Sequence, residues 1–123
     1  MLRKDYRLRE KFEFLRLKRF GKTIFTPLFN FSFIKLPTPS TGPVLPPRFG
    51  FITSNNLDKR AVVRNRVKRR VREAVRLFLR SHKLPPGSSG LSAAFIIRRA
   101  ALSRSYEEIE FEVNKVLSEV FKL

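Results

Sequence analysis

Cysteine and tryptophan are absent from this 123-residue chain, which holds a single histidine, His82. No disulfide framework, thiol nucleophile or Cys-built zinc site is therefore possible, and one imidazole makes no His cluster. Acidic residues are scarce: of ten Asp and Glu, five crowd between Glu107 and Glu119, and the rest are too scattered to hold a catalytic metal. No apolar run reaches the ~18 residues that span a bilayer, and the basic N-terminus is not followed by an apolar signal core. These absences set aside most metalloenzyme and membrane readings and predict a cytoplasmic protein.

What the chain has in excess is positive charge. Its 27 Lys and Arg give a net charge of +17, a footprint that favours phosphate backbones. The length fits one domain, residues 1–123, with a core that needs no cross-links. The charge concentrates in Lys59–Arg80, which contains no Gly or Pro. There Val63, Val67, Val71, Ala74 and Phe78 recur at steps of three or four, predicting a helix with one apolar face. Asn65, Arg69, Arg72 and Arg76 fall opposite, Arg64 and Lys68 line one flank, and Arg66 and Arg70 the other. A merely solvated face would mix signs, because like charges four residues apart repel. Only Glu73 answers the cations here, so a polyanion is the expected counter-charge, and arginine suits bidentate phosphate contacts.

Around this helix the chain divides by composition. Residues 1–7 form a basic tail. From Leu8 a helical pattern through Phe12 and Leu15 ends at Gly21, with Phe12 suited to the core and Phe14 to an edge where it can stack on a base. Thr23–Thr26 and Leu28–Lys35 read as strands, Phe29, Phe31 and Phe33 alternating with Asn30 and Ser32. Leu36–Pro47, with five of the eight prolines, reads as a hairpin connection. Arg48–Thr53 restores strand character, and Gly50 within it suggests a bulge or close backbone approach. Asp58 is the expected N-cap of the basic helix. Leu91–Arg98 reads as a buried strand. Ser105-Tyr106-Glu107-Glu108 then fits a capping box opening a helix through Ile109, Val113, Val116, Leu117 and Val120.

The stretch Ala61–Glu73, centred on Arg64-Asn65-Arg66, closely resembles the signature helix of the bacterial ribonuclease P protein subunit. The likeness extends to the first helix ending in Gly21-Lys22, the Phe-rich strand, Arg48-Phe49-Gly50, and Ile96-Ile97-Arg98-Arg99. It implies an α/β two-layer sandwich in the order αβββαβα, with a four-stranded sheet and a left-handed crossover through the basic helix. It also implies a subunit without its own active site, which partners a catalytic RNA and helps remove the 5′ leader of precursor tRNA, with Mg2+ held mainly by the RNA. On this resemblance Arg60, Arg64, Asn65, Arg66, Lys68, Arg69, Arg70 and Arg72 face the catalytic RNA. Phe12, Phe14, Asn30, Ser32, Arg48, Phe51, Asn55 and Asn56 are the candidates for the leader path. Family members usually carry Ser-Lys-Lys where this chain has Ser54-Asn55-Asn56, and the turn here is one residue longer. Arg48 and Lys35 are the cations placed to compensate.

A ribosomal or other structural RNA-binding protein is the alternative that shares this composition. A DNA-reading regulator fits less well, because nearly every outward position on the basic helix is a phosphate-type cation rather than a base reader.

Overall fold

The computed structural model describes residues 17, 19–35, 47–53, 57–82 and 91–121. Within them run strands β1 (Lys22–Phe25), β2 (Phe29–Lys35) and β3 (Arg48–Ile52), helix α1 (Ala61–Ser81), strand β4 (Leu91–Ile97), a 3-10 turn (Arg99–Ser103) and helix α2 (Tyr106–Phe121). The expected tail 1–7 and most of the expected first helix lie outside the described residues. The helical Leu17, Arg19 and Phe20 lead into Gly21, whose N–H donates to the Leu17 carbonyl at 2.9 Å.

The strands order β1-β2-β4-β3 in one mixed sheet. β1 pairs antiparallel with β2, β2 antiparallel with β4, and β3 parallel with β4. The segment between β2 and β3 is therefore not a hairpin connection, as its composition suggested: β4 lies between the two strands it joins. A parallel neighbour needs a long crossover, and α1 supplies it between β3 and β4.

Alternation along β2 sets the layers. Phe29 and Phe31 are fully buried and Phe33 half-buried on the side covered by both helices, while Asn30 and Ser32 face the other way. Phe95 of β4 is the hub of that covered side. Its ring meets Phe29 at 5.0 Å, Phe31 at 4.8 Å, Phe51 at 5.5 Å and Phe49 at 6.3 Å between centroids. Edge, tilted and offset arrangements of this kind suit the quadrupoles of aromatic rings. Val67, Val71, Ala74, Val75 and Phe78 of α1, with Ile109, Val113, Val116, Leu117, Val120 and Phe121 of α2, complete the core. Val63, expected on this face, is only half-buried at the first turn.

Three local expectations change. The ladder passes through Gly50 without a bulge, Phe49, Gly50 and Phe51 pairing in step with Ala93, Ala94 and Phe95. Arg60, not Asp58, is the N-cap of α1, and it makes no side-chain cap; the Asp58 carboxylate instead accepts from the Arg60 N–H at 2.8 Å. At α2 the capping box forms in a modified way, Ser105 Oγ accepting from the Glu108 N–H and donating to its carboxylate, both at 3.3 Å. Glu108 also holds Arg104 at 3.1 Å.

Gly21 is required by space. A Cβ there would lie 2.5 Å from the Leu17 carbonyl oxygen and 3.1 Å from that of Phe33, and neither backbone atom can rotate away. Gly21→Ala is expected to cost about 1–3 kcal/mol of stability, the usual penalty of forced overpacking, read as a lower urea midpoint with an unchanged slope.

Candidate RNA interface

The exposed side of α1 is built by helical spacing alone. Val62, Asn65, Arg66 and Arg69 are all exposed and lie three or four residues apart, so they form one ridge opposite the buried valines. Val62 is 71% exposed, an apolar contact set among cations that charge counting does not reveal. Lys68 borders the ridge, half-buried. Among the described residues none of Asn65, Arg66, Lys68 and Arg69 has a side-chain partner, so their donors face solvent.

Other cations of the helix are engaged with the protein. Arg64 Nη1 donates to the carbonyls of Asp58 at 2.6 Å and Lys59 at 3.0 Å. The Arg60 guanidinium binds the Asp58 carboxylate at 3.2 and 3.3 Å. Arg70 reaches the Arg104 carbonyl at 3.4 Å, and Arg76 forms a two-point pair with Glu73 at 2.6 and 2.9 Å. Arg72 stands over the Phe51 ring, 5.5 Å from its centroid, a cation–π contact between α1 and β3.

The sheet face away from the helices is a second surface. Register places Phe25, Asn30, Ile96 and Ile52 in one row across all four strands, and Thr23, Ser32, Ala94 and Gly50 in the next. Ile34, Ser92 and Arg48 follow in a third. Leu17 packs on Ala94 and Ile34, covering part of this face. The first row stays open, with Phe25 73%, Ile96 37% and Ile52 36% exposed. Ser32 bonds Thr23 at 3.1 Å, whereas the Asn30 Oδ1 is buried with no partner.

The structure thus brings Asn30, Ser32 and Arg48 to one face and places Phe51 on the opposite, helix-covered one, against Phe95 and Arg72. Phe51 shares no cleft with the other three. Lys35 is also directed elsewhere, its Nζ donating to the Val120 carbonyl at 2.8 Å near the negative end of α2. Phe12, Phe14, Asn55 and Asn56 lie outside the described residues. Phe25, Ile52 and Ile96 are the open-face residues that sequence reasoning missed. Alternation within each strand groups them correctly, but only cross-strand register shows that they share a row.

The hydrogen bonds from Arg60 hold the Asp58 carboxyl below its ordinary 3.8, and those from Arg76 hold Glu73 below 4.5. A carboxyl depressed in the folded state stabilises it above the unfolded-state pKa, and that contribution fades as the pH falls through the folded value. As the pH is lowered from 6, the amide signals of 57–60 and of the Glu73–Arg76 turn are therefore expected to hold their positions until the pH is below these ordinary values, and an earlier shift at either segment would show that its ion pair is not formed.

Comparison with known proteins fits this geometry. The family pattern described as Ribonuclease P matches residues 2–120. The ribonuclease P protein component of Cyanothece sp. is 32% identical over 97% of this chain and 95% of its own length. That of Chloroflexus aggregans is 36% identical over 99% of this chain and 77% of its own. Among solved structures, a Staphylococcus aureus RNase P protein mutant with defective mRNA degradation activity superposes with a TM-score of 0.75 at 25% identity, covering 95% of this chain and 89% of that one. The RNase P protein from Thermotoga maritima superposes at 0.71 and 22% identity, over 92% and 96%, a likeness of fold. Matched along nearly its whole length by the family pattern and by these relatives, the chain belongs to the bacterial ribonuclease P protein component family.

Proposed function

We propose that the α1 ridge of Asn65, Arg66 and Arg69, bordered by Lys68, is the surface that meets the catalytic RNA, and that the open sheet face receives the 5′ leader of precursor tRNA. As the protein component of ribonuclease P, the chain serves a ribozyme endonuclease whose product is the mature tRNA 5′ end. The observation that carries the assignment of α1 is the absence of any protein partner, among the described residues, for the outward donors of this ridge. Such donors neutralise backbone phosphate and let RNA strands approach. The row Phe25, Asn30, Ile96 and Ile52 supports the leader assignment, because the exposed Phe25 ring beside the exposed Ile96 and Ile52 offers an unpaired base a stacking and packing surface.

Magnesium belongs with the RNA in this reading. Among the described residues no three His, Cys, Asp or Glu are grouped so that they could hold a metal ion. No described helix is long and apolar enough to cross a membrane. A cytoplasmic ribonucleoprotein acting on tRNA precursors rather than DNA accords with the phosphate-type chemistry of α1. The family resemblance further assigns the β3–α1–β4 crossover a left hand and the first helix a place before β1.

Cleavage of a precursor tRNA by the cognate RNA at low magnesium, with and without the protein, tests the function. Rescue of cleavage at the mature 5′ end is expected; its absence would overturn the reading. The ridge is tested separately. Arg66→Ala and Arg69→Ala are each expected to lower the affinity for the catalytic RNA and reduce the slope of log K against log salt by about one, and an unchanged slope removes these residues from the interface.

A further inference from the structure

Three surfaces besides the α1 ridge invite a role. The cavity of about 430 Å3 under α2, lined by Pro27, Leu28, Phe111 and an acidic rim, shows nothing of what would fill it. The open sheet face is already assigned. The turn that opens α1 carries the third, and it rests on a set of short contacts.

We propose that Arg64 is a positioning residue: together with the Asp58 carboxylate it clasps the 57–60 turn and so fixes where α1 presents Arg66 and Arg69 to RNA. This rests on the RNA-facing reading of α1 given above. Leu57 anchors the turn in the core at 6% exposure. Asp58 Oδ1 then accepts the Arg60 N–H at 2.8 Å and its Nε at 3.2 Å, and Oδ2 accepts Nη2 at 3.3 Å. Arg64, one turn into the helix, reaches back with a single nitrogen to the carbonyls of Asp58 and Lys59 at 2.6 and 3.0 Å. With that nitrogen committed to two carbonyls, the guanidinium is anchored to the turn rather than directed outward with Arg66.

Two features accord with such a clasp. α1 starts at Arg60 without a side-chain cap, leaving its first N–H groups without the usual Ser, Thr or Asp acceptor. An anionic side chain also stands at the entrance of a helix meant for phosphate, where it repels RNA. Both make sense if Asp58 and Arg64 replace the cap by bracing the turn from outside.

The test uses the full chain. In the free protein, Arg64→Gln is expected to speed hydrogen exchange at the Arg60 amide by about tenfold, as a local opening would. Binding to the ribonuclease P RNA should weaken about fivefold with the salt slope unchanged, because no phosphate contact is lost. Asp58→Ala should weaken binding as well, although it removes a negative charge, while Asp58→Asn, which keeps an acceptor oxygen, should not. If Arg64→Gln lowers the slope by about one and leaves Arg60 exchange unaltered, or if Asp58→Ala binds RNA more tightly, Arg64 is a phosphate ligand and the clasp is wrong. An Arg66→Gln variant that binds RNA normally would instead count against the RNA-facing reading, and the exchange measurement on free protein then decides the clasp by itself.

Discussion

The burial of one face of α1 is the constraint on which everything else depends. Like charges four residues apart, such as Arg64 with Lys68, Lys68 with Arg72 and Arg66 with Arg70, repel by a few tenths of a kcal/mol each, roughly 1–3 kcal/mol over the helix. Val67, Val71, Val75 and Phe78 lose nearly all their solvent contact on the opposite face, worth roughly 6–12 kcal/mol as an upper bound. The core therefore holds together a charge array that would not persist as an isolated helix. Charge so confined is released from mutual repulsion when phosphate approaches, and stability in the core becomes affinity at the surface.

The protein does not leave all these cations for RNA. Arg76 is neutralised by Glu73, Arg72 is drawn over Phe51, and Arg64 and Arg60 are tied to the turn before the helix. A count of Lys and Arg thus overstates the proposed interface, whose free donors gather on Arg66, Arg69 and neighbouring Asn65 and Lys68. The committed residues are those within reach of a backbone carbonyl, the Phe51 ring or Glu73.

Much of this was legible in the sequence because it is local. The period of the valines gave α1, alternation gave the buried Phe29 and Phe31, and Ser105 with Glu108 gave the start of α2. What the sequence pattern could not convey is non-local. Nothing in residues 36–47 tells that β4 enters between β2 and β3, since that order is decided by how α1 crosses the sheet. The same insertion defeats the grouping of Phe51 with Asn30: each strand's alternation was right, but the face each presents depends on a partner distant in sequence. Asp58 misled for a different reason. It has the chemistry of an N-cap, yet it lies two residues early, and the Arg60 N–H takes its carboxylate first.

Strand β2 shows why the two surfaces of the molecule cannot be tuned independently. Its odd-numbered residues, Phe29 and Phe31, meet the Phe95 hub, and its even-numbered residues, Asn30 and Ser32, face the opposite side. The open face therefore has no scaffold of its own beneath it: the backbone that positions Asn30 is held by its neighbours in the core. The parallel strand β3 repeats the arrangement, with Phe49 and Phe51 inward and Ile52 outward, and Phe51 touches Arg72 of α1. A displacement of α1 has a direct route through Arg72 and Phe51 to β3, and across one backbone layer to the row proposed for the leader. The two proposed RNA surfaces are thus mechanically joined at this seam, where packing rather than a flexible linker sets their separation.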